Sequence, residues 1–538
     1  MARIGRFGRD RAGNFAVTAA IAAVPLVFVV GGVVDLSRAY GSKTRLQSAA
    51  DAAALAVIKS SGFDADRAMT IADQMIEANY GSDFQNLQVS FDGDKATVAA
   101  ETAVDTTLSA VLGYRRLSDE VSSTAEYPRT RYEIVLVLDT TGSMAGTKLA
   151  EMKKAAAEMI DELTATPELR ERVRFAIVPF SSAVNVGPDK LDAAWIDSAG
   201  RNYLPNSAIP AKVNRLKVFG NLGTSWKGCV EARLEGTKVN ERFATNDAAP
   251  TASKPETLFV PLLAPDEPGG YAYLNNYVND DTLAGLGLDV ATDAADVDTI
   301  AYNLVSNLTK VVGSLLSGGS RGGDPNRGCD SRPITPLSDD PDALKSEIGS
   351  LQAAGNTNIT EGVAWGQRVL SPGAPFVEGA DPKSDVRKIM VVLTDGDNVI
   401  GRASNPNGSG YSAYGYVADG RWNKSYLADK SKQKCTKVKD ASSGKTKACQ
   451  RALLASPPPS DATITSAMNA ETAEACARAK DTSELYAIRL EVNSAASSKL
   501  LSQCATDADH YYDARSAADL KGIFDDITQR ILRLRITS

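Results

Sequence analysis

A polar, arginine-bearing stretch gives way at Phe15 to an uncharged apolar run of twenty residues, FAVTAAIAAVPLVFVVGGVV, which ends at Val34. A helix of that length rises about 30 Å, the thickness of a bilayer's hydrocarbon core. The apolar stretch of a cleaved secretory signal is only about 7–15 residues. The pattern therefore predicts an uncleaved transmembrane anchor over 15–37 behind a tail over 1–14. Helical periodicity continues through LSRAYGSKTRLQSAADAAALAVIKS, and Pro25 is placed to kink the helix. Ala49, Ala52, Ala53 and Ala56 recur at spacings of three and four, a small-residue stripe. It suits either close packing on the next segment or self-association of the helix with another copy.

Over 38–129 the pattern predicts a helical extension and a small α+β unit. Asp64–Tyr80 reads as an amphipathic helix, and LQVSFDGDKATVAAE as a hairpin turning at Asp92-Gly93-Asp94. Thr106–Gly113 reads as a helix and Glu120–Tyr127 as a strand. From Tyr132 the pattern changes to EIVLVLD, apolar without alternation, as in a strand buried on both faces of a parallel sheet. Helix Lys148–Thr164 and strand VRFAIVPF follow, then helices Asp342–Ala354 and Gly362–Leu370 and strand RKIMVVLTD. Helix Thr465–Lys480, strand ELYAIRLEV and helix Ala517–Leu532 complete the order. Such alternation predicts a doubly wound α/β domain over 130–538. Stretches at about 185–335 and 401–460, rich in Asn, Gly, Pro and Asp or in Gly and Lys, read as long loop insertions.

The composition narrows the chemistry. At 538 residues, 43% hydrophobic and 23% charged, the bulk of the chain folds, and more than one domain is expected. A net charge of −7 argues against nucleic acid as the partner. A single histidine, His510, leaves no pair for a zinc site and reads as a packed or exposed side chain. Nucleotide hydrolysis has no support, because no GxxxxGK[ST] loop is present. Arg3, Arg6, Arg9 and Arg11 against Asp10 set the tail in the cytoplasm, a single pass through the cytoplasmic membrane and the bulk periplasmic or extracellular. Cys229, Cys329, Cys435, Cys449, Cys476 and Cys504 include no CxxC, and an oxidising compartment favours disulfides. Fifteen connectivities are open to six cysteines; proximity and position suggest Cys229–Cys329, Cys435–Cys449 and Cys476–Cys504. Gly401–Arg451 carries eleven Lys or Arg against three Asp, with Tyr411, Tyr414, Tyr416, Trp422 and Tyr426 interleaved. It reads first as a solvated loop, and second as a surface for anionic polysaccharide, lipid headgroups or DNA.

Candidate chemistry gathers at strand ends. Asp139-Thr140-Thr141-Gly142-Ser143 follows the first core strand, Gly355-Asn356-Thr357 lies between helices, and Thr394-Asp395-Gly396-Asp397 ends a later strand. Ligands of open parallel sheets collect at such carboxyl ends, and hard oxygen donors suit Mg²⁺, Mn²⁺ or Ca²⁺. The other reading of DTTGSM is a helix N-cap, and of TDG a common turn.

The three loops together resemble the metal-ion-dependent adhesion site of a von Willebrand factor type A domain. Its Asp-x-Ser-x-Ser, Thr and Asp pattern falls on Asp139, Thr141, Ser143, Thr357 and Asp395, with Thr141 in place of a serine. Thr357 is preferred to Thr360 because it follows Gly355-Asn356. The region from Gly13-Asn14-Phe15 through VVDLSRAY to SAADAAALAV, and CARAK, YAIRL and LSQCA near the C-terminus, resemble TadG-like proteins of tight-adherence (Flp-type) pilus systems. Related pseudopilins carry a glutamate five residues after the processing glycine, where this chain has Thr18.

The resemblance implies an α/β chain: transmembrane helix, small α+β region, then a type A-like domain with two insertions. It implies a non-enzymatic, membrane-anchored pilus-assembly component that binds pilus or secretion-channel proteins presenting a carboxylate, through a divalent cation, Mg²⁺ before Mn²⁺ or Ca²⁺. A surface adhesin using the same site on host or matrix ligands is the alternative. A metal-dependent hydrolase, with Asp397 or Glu361 as base, is the reading from another class.

Overall fold

The computed structural model describes residues 11–60, 64–92, 95–107, 109–126, 131–202, 214–235, 243–265, 275, 323–402, 408–417, 436–439, 446–450 and 460–532. The chain divides into two compact units, one within residues 1–129 and the other spanning Thr130–Leu532.

In the first unit α1 runs unbroken over Arg11–Ser60 with Pro25 inside it, followed by α2 (Ala65–Asn79). Asp64 caps α2, its side chain accepting from the Arg67 amide. Strands β1 (Phe84–Asp92), β2 (Lys95–Asp105) and β3 (Arg116–Glu126) form an antiparallel sheet in that order. Asp92 pairs with Lys95, so the hairpin closes where the Asp-Gly-Asp sequence puts it. Of the expected helix at Thr106–Gly113 only a 3₁₀ turn forms, Ser109–Leu112.

Leu46, Ala50, Ala54 and Val57 of α1 are buried with Ala68, Ala72 and Ile76 of α2 and with Val98, Ala100, Val121 and Ala125 of the sheet. Ala49 and Ala53 of the alanine stripe belong to the same core. Ala52 and Ala56 are half-buried, and the small residues let α1 approach its own sheet and α2, the first of the two readings of the stripe.

The second unit centres on a six-stranded sheet ordered β11-β10-β7-β4-β5-β6. β4 (Arg131–Asp139), β5 (Val173–Phe180), β7 (Val386–Thr394), β10 (Glu484–Leu490) and β11 (Tyr511–Ala514) run parallel, and β6 (Thr335–Ser338) is an antiparallel edge. A separate hairpin pairs β8 (Thr436–Lys439) with β9 (Thr446–Gln450). The helices are α3 (Thr147–Leu163), α4 (Pro167–Arg170), α5 (Arg215–Asn221), α6 (Pro341–Ser350), α7 (Ile359–Leu370), α8 (Asp461–Lys480), α9 (Ala495–Cys504) and α10 (Asp519–Leu532).

The period of two along β4 separates the two faces. Ile134, Leu136 and Leu138 pack with α3, α6 and α10, while Val135 and Val137 pack with α7, α8 and α9. Both faces are covered, which is why EIVLVLD reads as an unbroken apolar run. α7 lies so close to the sheet that a Cβ on Gly362 would come within 2.7 Å of the Phe180 ring, and one on Gly366 within 2.7 Å of Val137. This close approach fixes the start of α7, just after Thr357.

The insertions are not plain loops where they are described. Trp195, Ile196, Phe219, Trp226, Val230, Phe259 and Leu263 join the core on the α7 face, and Tyr411, Tyr414, Tyr416 and Val417 are buried in a cluster with Ala183, Phe243 and Met468. These tyrosines are therefore core residues; Trp422 and Tyr426 lie outside the described residues. Disulfides join Cys229 to Cys329 and Cys476 to Cys504. The suggested Cys435–Cys449 pair lies outside the described residues, which do not include Cys435.

Candidate functional site

Asp139 ends β4 and Asp395 directly follows β7, its parallel neighbour. The strand after β4 in sequence, β5, lies on its other side, so the sheet reverses its winding here, where open α/β sheets form a crevice. The loops after β4, before α7 and after β7 are laced by backbone bonds: Gly142 N to Gly355 O (3.1 Å), Ala354 N to Thr140 O (2.9 Å) and Val399 N to Thr357 O (2.9 Å). Gly355 has φ +80°, and a Cβ there would lie 2.7 Å from Asp330 Oδ2, so the tight loop requires glycine.

The five residues singled out by sequence come together. Thr357 Oγ1 donates to Thr141 Oγ1 (3.3 Å), Thr141 and Ser143 share a hydroxyl bond (3.0 Å), and Ser143 Oγ donates to Asp395 Oδ1 (2.6 Å). Asp139 accepts from the Thr141 amide at Oδ1 (2.8 Å) and from Thr394 Oγ1 at Oδ2 (2.6 Å). Thr360 points elsewhere, its hydroxyl bonded to Thr472 (2.8 Å) and to Met468 O (3.2 Å). Neither hydroxyl of the first loop is spent on a helix end. Thr141 precedes the 3₁₀ turn Gly142–Met144 without a side-chain cap bond, and α3 begins after Gly146 without one.

Burial pushes the Asp139 carboxyl up to about 6, against hydrogen bonds from Thr394 and Thr141 and with the nearby Asp395 charge adding to the rise. Anionic oxygen in a buried place is relieved by a cation. Lys148 supplies one charge: its Nζ stands 2.8 Å from Asp395 Oδ2 and 3.7 Å from Glu491 Oε2. Burial works against that ammonium, but Asp395 and Glu491 outweigh it and hold its pKa above the ordinary lysine value. The donor set holds carboxylates and hydroxyls with no nitrogen or sulfur, which fits a hard dication. No group of three or more His, Cys, Asp or Glu side chains is arranged to hold a metal ion among the described residues, so hydroxyls would have to supply much of any coordination here.

Sequence reading missed Lys148, Thr394 and Glu491. Lys148 lies five residues after Ser143, in the first turn of α3. Glu491, at φ +54°, is brought near only by the pairing of β10 with β7. The hydrolase candidates are engaged elsewhere: Glu361 is buried and accepts from Trp365 Nε1 (3.2 Å), and Asp397 accepts from Ser494 Oγ (3.0 Å). His510 is packed at 4.5 Å from the Tyr486 ring and hydrogen-bonded to Asp507 and Glu484.

Residues 13–69 match the family model for Flp pilus-assembly TadE/G-like proteins, and residues 133–188 match that for von Willebrand factor type A domains. The chain carries a Tad segment and a type A domain. The matched part of the type A domain contains β4, the Asp139–Ser143 loop, α3 and β5. No curated protein sequence matches the chain.

Among solved structures, the von Willebrand factor domain of the type V pili tip protein Mfa5 from Porphyromonas gingivalis is 12% identical at TM-score 0.31, covering 76% of this chain and 98% of its own. The pilus adhesin SpaC from Lactobacillus rhamnosus GG is 12% identical at TM-score 0.30, with 84% of this chain and 34% of SpaC covered, so the chain spans about a third of that protein. The PilB minor pilin from Streptococcus sanguinis is 11% identical at TM-score 0.28, covering 84% and 77%. At such scores the fold assignment rests on the family-model match and the sheet topology. α1 is, among the described residues, the one helix long and apolar enough to cross a membrane, and with the Tad segment it fits a membrane-anchored protein.

Proposed function

We propose that this chain is a non-enzymatic, membrane-anchored component of tight-adherence pilus assembly whose type A domain captures a protein partner through a divalent cation, Mg²⁺ first. The observation that carries this reading is the continuous set of oxygens from Thr357 through Thr141 and Ser143 to Asp395, beside the buried Asp139. Asp139, Thr141, Ser143, Thr357 and Asp395 would hold the ion. A bound dication supplies a positive centre with an open coordination position for a partner's carboxylate. The chain's own residues do the rest: backbone bonds between the loops preset the oxygens, and Thr394 aims the Asp139 carboxylate.

The extracytoplasmic placement of the bulk is supported by the arginine-bearing tail and by two disulfides, Cys229–Cys329 and Cys476–Cys504. A reporter active only outside the cytoplasm, fused after Ser538, should be active; a stable but inactive fusion overturns the orientation. Full-length protein solubilised from membranes should retain pilus or secretion-channel proteins in Mg²⁺ and release them in chelator. Equal capture in both overturns the metal-dependent reading.

A further inference from the structure

Asp35 follows the apolar run of α1 and is 2% exposed, although the run before it presents Ile21, Leu26, Val29, Val30 and Val33 to the outside. A carboxylate at that position is covered by the connection between β2 and β3. Asp35 accepts from the Thr107 amide at 3.0 and 3.1 Å and from the Ser109 amide at 2.9 Å, and Gly31, one turn earlier, is buried as well. Arg38 donates to Thr107 Oγ1 at 3.5 Å. The partners then climb α1 in step: Ser42 with Thr102, Lys43 with Asp119, Gln47 with the Ser122 carbonyl. At 1.5 Å per residue, Asp35 and Gln47 are about 18 Å apart along the helix. The sheet therefore stands alongside α1, with residues 106–115 level with the end of the apolar run and the Asp92–Lys95 hairpin at the far end.

At the low end two large side chains are uncovered: Val111 and Tyr114 are each 67% exposed, with Arg115 and Arg116 next in sequence and Tyr40 70% exposed on α1. Tyrosine with flanking arginine is the composition of a membrane interface, the ring at headgroup level and the guanidinium near lipid phosphate. Exposed apolar side chains at this end continue the apolar surface of the anchor.

We propose that the β2–β3 connection is a second membrane contact, with Val111 and Tyr114 entering the interfacial layer of the bilayer that α1 spans. Asp35 is the latch that holds the connection there. The contact rests on the reading of residues 15–37 as the span, and it fixes the orientation of this unit: β1–β3 stand upright on the membrane.

The test uses the full chain carrying Val111→Cys, Tyr114→Cys, Asp92→Cys or Val27→Cys, labelled with a polarity-sensitive fluorophore without reductant, with labelled wild type as background. Each is reconstituted into phosphatidylethanolamine–phosphatidylglycerol vesicles with and without a lipid bearing a quencher near the top of its acyl chain. Labels at 111 and 114 should be blue-shifted and quenched several-fold more than the label at 92, and the label at 27 should be quenched as well. Quenching at 27 with 111 and 114 no more quenched than 92 overturns the second contact alone. Failure to quench at 27 overturns the span and the contact with it.

Discussion

The type A domain buries two crowded polar clusters, one at the carboxyl ends of β4 and β7 and one beside α7, and they differ in how their charge is met. Around Asp139 and Asp395 the excess is negative, and burial with a like neighbour pushes Asp139 up to about 6. Around Arg233 and Arg368 the carboxylates of Glu361 and Asp247 offset the two positive charges, and burial with the Arg368 charge beside it pushes Arg233 down to about 9. The difference lies in the partners. Arg368 donates to the carbonyls of Asn246 and Ala244, and Arg233 to those of Thr257 and Ala248. Both guanidinium groups also lie over the Phe259 ring, at 4.7 and 5.1 Å. Fixed carbonyls, a ring face and the Glu361 carboxylate, 3.9 Å from Arg368, absorb the charge and tie the first insertion to α7. At Asp139 the neighbours are hydroxyls, which rotate and keep lone pairs for another donor or a cation. A buried charge is therefore a weak marker of a site by itself, and the chemistry of its neighbours decides.

The contrast can be broken by substitution, and the largest effect is expected at the arginine cluster. Arg368→Met strips donors from two buried carbonyls and removes the cation nearest Glu361; it should destabilise the domain by about 3–5 kcal/mol in denaturant unfolding. A loss below about 1 kcal/mol would show that the carbonyls are readily satisfied without it. Asp139→Ala should leave the fold intact yet weaken Mg²⁺ binding by about two orders of magnitude, ~3 kcal/mol, in calorimetric titration. Binding equal to wild type, or no binding of Mg²⁺, Mn²⁺ or Ca²⁺ by the wild type, would make the two clusters alike in function. Lys148→Met removes a positive charge from Asp395 and should tighten Mg²⁺ binding by about fivefold, ~1 kcal/mol. Weaker binding would assign Lys148 to holding the loop instead. Thr141→Ser keeps the hydroxyl and should change affinity by less than about twofold, ~0.4 kcal/mol.

How much of this could be read beforehand depended on periodicity. EIVLVLD, VRFAIVPF, RKIMVVLTD and ELYAIRLEV became β4, β5, β7 and β10 because a strand covered on both faces is apolar throughout. The site loops were legible because each follows such a strand or precedes a glycine-marked helix. β6 and β11 have only four residues each, too few to show a period, and α9 begins AASSK, where small polar residues conceal the buried Leu500 and Leu501. What the insertions add to the core was hidden for a related reason: Trp195, Phe259 and Tyr414 reach it from irregular backbone, and no alternation announces them. Glu491 is placed near Lys148 by strand pairing across about a hundred residues of sequence, which no local pattern records.

α1 has a mechanical consequence. One helix of 50 residues, ~75 Å long, serves both as the apolar run and as the central pillar of the first unit, with no linker between them. A pull or tilt applied to that unit is transmitted along a continuous helix into the apolar run, with no linker to take it up. The compliant point is Pro25, which removes a backbone donor inside the apolar run itself. With residues 15–37 as the proposed span, Pro25 puts the bend inside the apolar run, and the part of α1 packed on β1–β3 carries no proline.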